Sequence, residues 1–197
     1  MLIDARDITF GYERTKPVLQ GVSLQVQPGE RVALLGPSGR GKSTLAKILA
    51  GYISPWSGQV LLGGQPLPTQ GLCPVQLIFQ HPEQAVNPRW KMREVLNEAW
   101  QPPGALLEEM GIAQGLLERY PHELSGGELQ RFCIARALAP GVRFIIADEI
   151  SAMLDVISQA QVWQALLGAV RKRGMGLLAV THNLSLAQQI CERVQEI

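Results

Sequence analysis

Apolar and polar residues first alternate at Val22, Leu24 and Val26, which are spaced by Ser23, Gln25 and Gln27. A period of two predicts a half-buried strand, and Pro28-Gly29-Glu30 turns the chain after it. The next run, Val32-Ala33-Leu34-Leu35, is short and wholly apolar, as in a strand covered on both faces. Residues 36–41 read as a loop and 42–50 as a helix stopped by Gly51. Further short strands are predicted at 59–62 and 76–79. From about residue 92 to 120 the spacing becomes helical: Val95, Leu96 and Ala99, then Leu106, Leu107 and Met110, recur three and four residues apart, which predicts a small helical insertion. Phe144-Ile145-Ile146-Ala147 is a second buried-strand run, 156–173 a long amphipathic helix ended by Gly174, and 176–180 a third buried strand. Apolar strands separated by helices predict an α/β chain with a mostly parallel sheet flanked by helices, whose ligands bind beyond the carboxyl ends of the strands.

Composition narrows the partners. The chain has 197 residues, 46% of them hydrophobic, with 18 Lys and Arg against 17 Asp and Glu. That near balance offers no excess of cations to neutralise phosphates, so no direct nucleic-acid partner is expected. Cys73, Cys133 and Cys191 lie far apart and form no cluster of metal-ligand spacing, which fits free thiols in a reducing compartment. Asp4, Arg6 and Asp7 interrupt the first residues before an apolar run can build, unlike a secretory leader. Residues 48–82 carry no formal charge, but Pro55, Pro66, Pro68, Pro74 and Pro82 break the stretch, so it is no transmembrane helix. Any business with a membrane must go through a partner.

The chemistry is concentrated in three segments. Gly36-Pro37-Ser38-Gly39-Arg40-Gly41-Lys42-Ser43, followed by Thr44, fits G-x-x-x-x-G-K-[ST] between a predicted strand and a predicted helix. Glycines there let successive backbone N–H groups face phosphate oxygens, Lys42 can reach the terminal phosphates, and the Ser43 hydroxyl can ligate Mg²⁺. Asp148 and Glu149 end the apolar run at 144–147; the first suits a metal-water contact and the second a general base or water orienter facing the γ-phosphate. Leu124-Ser125-Gly126-Gly127-Glu128-Leu129-Gln130-Arg131 opens a helix running to about residue 139 with Ser125 as a good N-cap, and its two glycines look like a second phosphate-binding end.

LSGGELQR resembles the signature motif of the ATP-binding cassette (ABC) ATPases, and the resemblance extends over nearly the whole chain. It implies a P-loop NTPase fold with an N-terminal antiparallel β portion, all within one ATPase domain of residues 1–197 with a helical subdomain inserted at about 84–139. It also implies a head-to-tail dimer in which Ser125, Gly126 and Gly127 bind the ATP held by the opposite subunit's phosphate loop. Four more positions acquire implied roles. Tyr12 would stack on adenine, Gln80 would touch Mg²⁺ and the attacking water, Asp155 would cross the dimer interface, and His182 would contact the γ-phosphate.

The stretches from Gln80-His81-Pro82 to Val86-Asn87-Pro88-Arg89 and from Leu154-Asp155-Val156 onward are similar to the peptide and nickel importer branch. That branch implies transmembrane permease subunits, a second ATPase subunit identical or not, an external solute-binding protein, and a peripheral location on the cytoplasmic face of a bacterial membrane. Two alternatives stay open: a soluble ABC ATPase acting on nucleic acid or ribosomes, and a subunit that binds ATP as a regulatory clamp. A single cassette speaks against the first, and the presence of Glu149 and His182 against the second. The sequence departs from the family pattern at Ile150, where proline is usual, and at Ala152-Met153, both expected in the loop that faces the partner subunit; Arg40 fills a position usually small. The interval from Gln80 to Ser125 and the stretch after His182 are both short for the family, which implies a trimmed helical subdomain and a shortened C-terminal end.

Overall fold

A computed structural model describes residues 1–197. The chain divides into two compact units, the first made of Met1–Leu77, Arg143–Asp148 and Gly174–Ile197, the second of Ile78–Val142 and Glu149–Arg173.

The first unit holds two sheets. In the antiparallel one, β1 (Ile3–Phe10) lies between β2 (Leu19–Val26) and β4 (Ser57–Leu62), and the short β5 (Gln65–Pro66) flanks β4. Leu24 and Val26 of β2 are buried and Val22 is half-buried while Ser23 and Gln25 are exposed, as the alternation predicts; Leu19, out of phase with it across a register shift, is buried too. Charge-rich β1 escaped the hydrophobic pattern. It buries Asp4 by pairing its carboxylate with Arg6 Nε at 2.7 Å and Gln25 Nε2 at 3.1 Å. Both of its ladders slip beside Asp7, whose φ of 51° marks a bulge and whose N–H donates to Ser23 Oγ at 2.9 Å.

The second sheet is parallel and runs in the order β6 (Val75–Ile78), β7 (Phe144–Asp148), β8 (Gly176–Thr181), β3 (Arg31–Leu35), β9 (Arg193–Glu196). Every residue of β7 and β8 is buried, which is why these strands read as unbroken apolar runs. Its register sets Leu35 opposite Thr181 and Asp148 opposite Val180, so β3, β7 and β8 end at one edge. α1 (Lys42–Leu49) contacts β7 and β8. The residues after His182, which patterning left unassigned, form α6 (Leu184–Ile190) and β9, the latter pairing in parallel with β3. The sheets and helices match the α/β P-loop class with its antiparallel portion.

The second unit is helical: α2 (Met92–Asn97), α3 (Gly104–Glu109), α4 (Gly126–Ala137) and α5 (Val156–Arg173), with single turns at Pro82–Gln84, Gln114–Glu118 and Pro121–Glu123. α4 contacts α2 and α5, and Met92, Val95, Met110, Phe132, Val162 and Leu166 are almost wholly buried. The helical reading of 92–120 is corrected in extent. Pro102 and Pro103 cannot continue a helix, so the pattern breaks into two short helices and a turn, and Ala99 falls outside both. No helix of the structure is long and apolar enough to cross a membrane.

Candidate functional site

In the first unit the phosphate loop leaves the carboxyl end of β3 and enters α1 through Gly41, which caps the helix at φ 91°. Gly39 is also left-handed, at φ 82°. Left-handed glycines of this kind allow successive backbone N–H groups to turn toward one anion. Lys42 is buried, and its Nζ donates to Gly36 O at 2.7 Å and Pro37 O at 3.0 Å. An ammonium has three N–H donors, so two carbonyls do not exhaust it. Pro37, Ser38 and Arg40 are exposed, and Arg40 faces solvent.

Ser43 Oγ donates to Asp148 Oδ1 at 3.1 Å, joining the first turn of α1 to the end of β7. Two hard oxygen donors at that separation suit a magnesium ion, which takes few protein ligands and completes its shell with water and substrate phosphate. No group of three or more His, Cys, Asp or Glu side chains is placed to hold a metal ion, in keeping with such a sparse donor set. Thr44 is buried, and its Oγ1 lies 3.1 Å from the hydroxyl of Tyr12, whose ring is exposed and meets Phe10 edge-on at 5.3 Å. His182 lies on the exposed turn between β8 and α6. Around it, Asn183 N donates to Thr181 Oγ1 at 3.1 Å, and Asn183 Oδ1 caps α6 through Leu186 N at 3.1 Å. The first unit thus gathers the loop 36–41, Lys42, Ser43, Asp148 and His182 along one sheet edge.

The remaining candidates belong to the second unit. Gln80 is half-buried just past β6, and the preceding carbonyl, Phe79 O, accepts from Gln130 Nε2 at 3.3 Å. Glu149 has φ 46°, a left-handed backbone that a non-glycine residue adopts at a cost, and Glu149 O accepts from Ala152 N at 3.0 Å. Ser125 caps α4 reciprocally. Its Oγ accepts from Glu128 N at 3.3 Å, while Glu128 Oε2 accepts from Ser125 N at 2.8 Å and from the Ser125 hydroxyl at 2.7 Å. The Ser125 N–H and hydroxyl hold the Glu128 carboxyl below its ordinary range. A Cβ on Gly126 would stand 3.3 Å from Leu154, and one on Gly127 3.3 Å from Ser158, so the two glycines keep backbone close to the turn before α5 and to its first turn.

Asp155 binds its own helix: Oδ1 accepts from Ile157 N and Ser158 N, both at 3.0 Å. Hydrogen bonds from the Ser158 side chain and backbone keep its carboxyl low. Within the loop expected to face a partner, Ile150 is only 2% exposed, whereas Met153 is 70% exposed. Sequence reasoning missed Ser151, a buried hydroxyl that accepts from Gln159 Nε2 at 2.8 Å and Trp163 Nε1 at 2.9 Å and so ties the turn 149–154 to α5. It also assigned Gln130 no role. No local pattern marks either residue, because their partners come from packing.

Comparison with known proteins identifies the family. The sequence model of the family described as ABC transporter matches residues 19–152. The nickel import ATP-binding protein NikE of Rhodospirillum rubrum is 37% identical over 203 residues, covering 93% of this chain and 73% of that protein. NikE of Escherichia coli K12 is 37% identical, with 93% and 76% covered. Among solved structures, an ATP-binding subunit of an ABC transporter superposes with a TM-score of 0.83 at 25% identity, covering 100% of this chain and 86% of that one. A dimeric post-hydrolysis ATP-binding cassette bound to ADP and phosphate superposes with a TM-score of 0.82 at 25% identity, covering 99% and 94%.

Proposed function

Because the chain belongs to the ABC transporter family and is an ATPase of it, we propose that it powers solute uptake as the ATP-hydrolysing subunit of a bacterial importer, with nickel as the solute that its relatives' names favour over peptide. In this reading residues 1–197 act as one ATPase domain, and the helical insertion 84–139 meets transmembrane permease subunits at the cytoplasmic face of the membrane. A second ATPase subunit completes the dimer, and an external binding protein delivers the solute.

The observation that carries the reading is the Ser43–Asp148 hydrogen bond beside the glycine loop, which unites a phosphate cradle with a carboxylate. The N–H groups of 36–41 and the Lys42 ammonium bind the β- and γ-phosphates, Thr44 continues that turn, Arg40 flanks it, and Tyr12 stacks on adenine. Ser43, Asp148 and Gln80 would hold the metal. A bound magnesium ion offsets the charge that builds on the transferring phosphoryl group. Glu149 takes a proton from the attacking water, Gln80 orients that water, and His182 donates to a γ-phosphate oxygen. Ser125, Gly126, Gly127 and Asp155 serve the nucleotide of the opposite subunit, so that ATP favours the closed dimer and hydrolysis releases it.

Reconstitution with its permease subunits tests the reading. Glu149→Gln is expected to abolish ATP turnover and nickel uptake while stabilising an ATP-bound dimer. Unchanged hydrolysis in that variant overturns the mechanism, and ATP-driven uptake of peptide but not nickel overturns the solute.

A further inference from the structure

One face of α4 grips the backbone that follows β6. Gln130 Nε2 donates to Phe79 O at 3.3 Å, the Cys133 thiol to Pro82 O at 3.9 Å, and Arg136 Nη2 to Ala85 O at 2.6 Å. The donors are three residues apart and so are the acceptors, and each pair is separated by 51 positions in sequence. Residues three apart on a helix share a face, so 79–85 runs alongside α4 in the same direction and presents its carbonyls in step with the helix. Such a match at three consecutive rungs specifies one register.

The rungs differ in strength, the Arg136 one being the shortest and the thiol one the longest. Gln130 is 1% exposed and Cys133 5% exposed, so these two donors have little access to competing water. Burial pushes the Cys133 thiol up to about 11, which keeps it a protonated donor at neutral pH. Arg136 is itself anchored, because Nη1 pairs with Glu98 at 3.0 Å and its carbonyl accepts from Trp100 Nε1 at 3.1 Å. Gln80 follows the first gripped carbonyl by one residue, and the Ser125 cap lies little more than one turn before Gln130 on the same helix.

We propose that Gln130 is a positioning residue for Gln80: with Cys133 and Arg136 it fastens 79–85 to α4, so that the Gln80 carboxamide and the Ser125-capped helix end move as one piece. The proposal rests on the reading of Gln80 as the group that orients the attacking water. Gln130 does not touch nucleotide. It acts by fixing the backbone from which Gln80 projects, and it makes any shift of Gln80 a shift of the helix end that serves the opposite subunit.

Hydrogen exchange on the full chain tests the fastening, and steady-state hydrolysis tests the positioning. Gln130→Leu keeps bulk while removing the donor. It is expected to speed amide exchange within 79–85 by about tenfold and to leave β7 and β8 unchanged. Unchanged exchange in 79–85 overturns the ladder whatever Gln80 does. The same variant is expected to lower kcat about tenfold with little change in KM for ATP, and to add no further loss in a Gln80→Ala background. Losses that multiply in the double variant overturn the positioning role. A Gln80→Ala chain with unchanged kcat overturns the reading of Gln80, and the exchange result then still decides the ladder. Should Gln130→Leu fail to fold, Cys133→Ala carries the same pair of measurements at the middle rung.

Discussion

Ser43 Oγ and Asp148 Oδ1 meet at 3.1 Å although 105 positions separate them in sequence. Parallel pairing explains how. β3 and β7 both flank β8, and the register of Leu35 with Thr181 and of Asp148 with Val180 brings the loop after β3 level with the end of β7. Two hard oxygens are thereby presented at the mouth of the glycine loop.

Ser43→Ala and Asp148→Asn are therefore each expected to lower kcat by about a hundredfold and to raise the Mg²⁺ concentration needed for half-maximal hydrolysis. Because they serve one centre, the double variant should lose little more than either alone. Losses that multiply across the double variant show that the two act separately.

Gly41 and Gly39 both have positive φ, yet replacing them should differ in cost. A Cβ at Gly41 would stand 2.7 Å from Leu19 Cδ2 and 2.9 Å from Val18 Cγ1, and Leu19 is 1% exposed and cannot give way freely. A Cβ at Gly39 meets nothing within 4 Å. Gly41→Ala is expected to destabilise by about 2–4 kcal/mol, backbone strain and clash together, and Gly39→Ala by about 1–2 kcal/mol from strain alone. Urea denaturation midpoints check this, and equal shifts refute the steric part.

The Ser125 and Glu128 capping box makes α4 sensitive to acid. Glu128 titrates below its ordinary value of 4.5 in the folded chain, so its stabilising effect is complete above that value and is lost as pH falls through the lower folded one. The stability difference between the native chain and Glu128→Gln should be constant near neutrality and shrink below about pH 4.5. Thermal melts across that range measure it, and a difference that persists into acid refutes the linkage. Ser125→Ala, which removes the cap, is expected to cost about 1 kcal/mol.

Thiol reactivity should follow burial. Burial pushes Cys133 up to about 11 and Cys191 up to about 12, so both stay protonated at pH 8. Iodoacetamide at that pH is expected to spare both in the folded chain and to modify them on unfolding. Peptide mass spectrometry locates the adducts, and rapid native labelling of Cys133 refutes its burial.

Much of the fold can be read locally. A buried parallel strand is a short apolar run because both faces are covered, so β3, β7 and β8 stand out in the sequence. α5 ends before Gly174, whose φ of 61° lets the chain leave the helix. β1 is hidden because its buried Asp4 is neutralised by partners that fold beside it. The helices between residues 92 and 120 are shortened because prolines outrank apolar spacing there. β9 was unreadable because its alternation spans four residues and gains meaning from pairing with β3.

The same division holds for chemistry. The glycine loop, the Asp148-Glu149 pair and the Ser125 cap are contiguous stretches whose shape depends on local backbone geometry, so residue order alone marks them. The Ser43–Asp148 contact and the three rungs between α4 and 79–85 join residues far apart in sequence. Such contacts depend on strand register and helix packing, which bury apolar surface across the whole chain, and no short window of sequence contains that information.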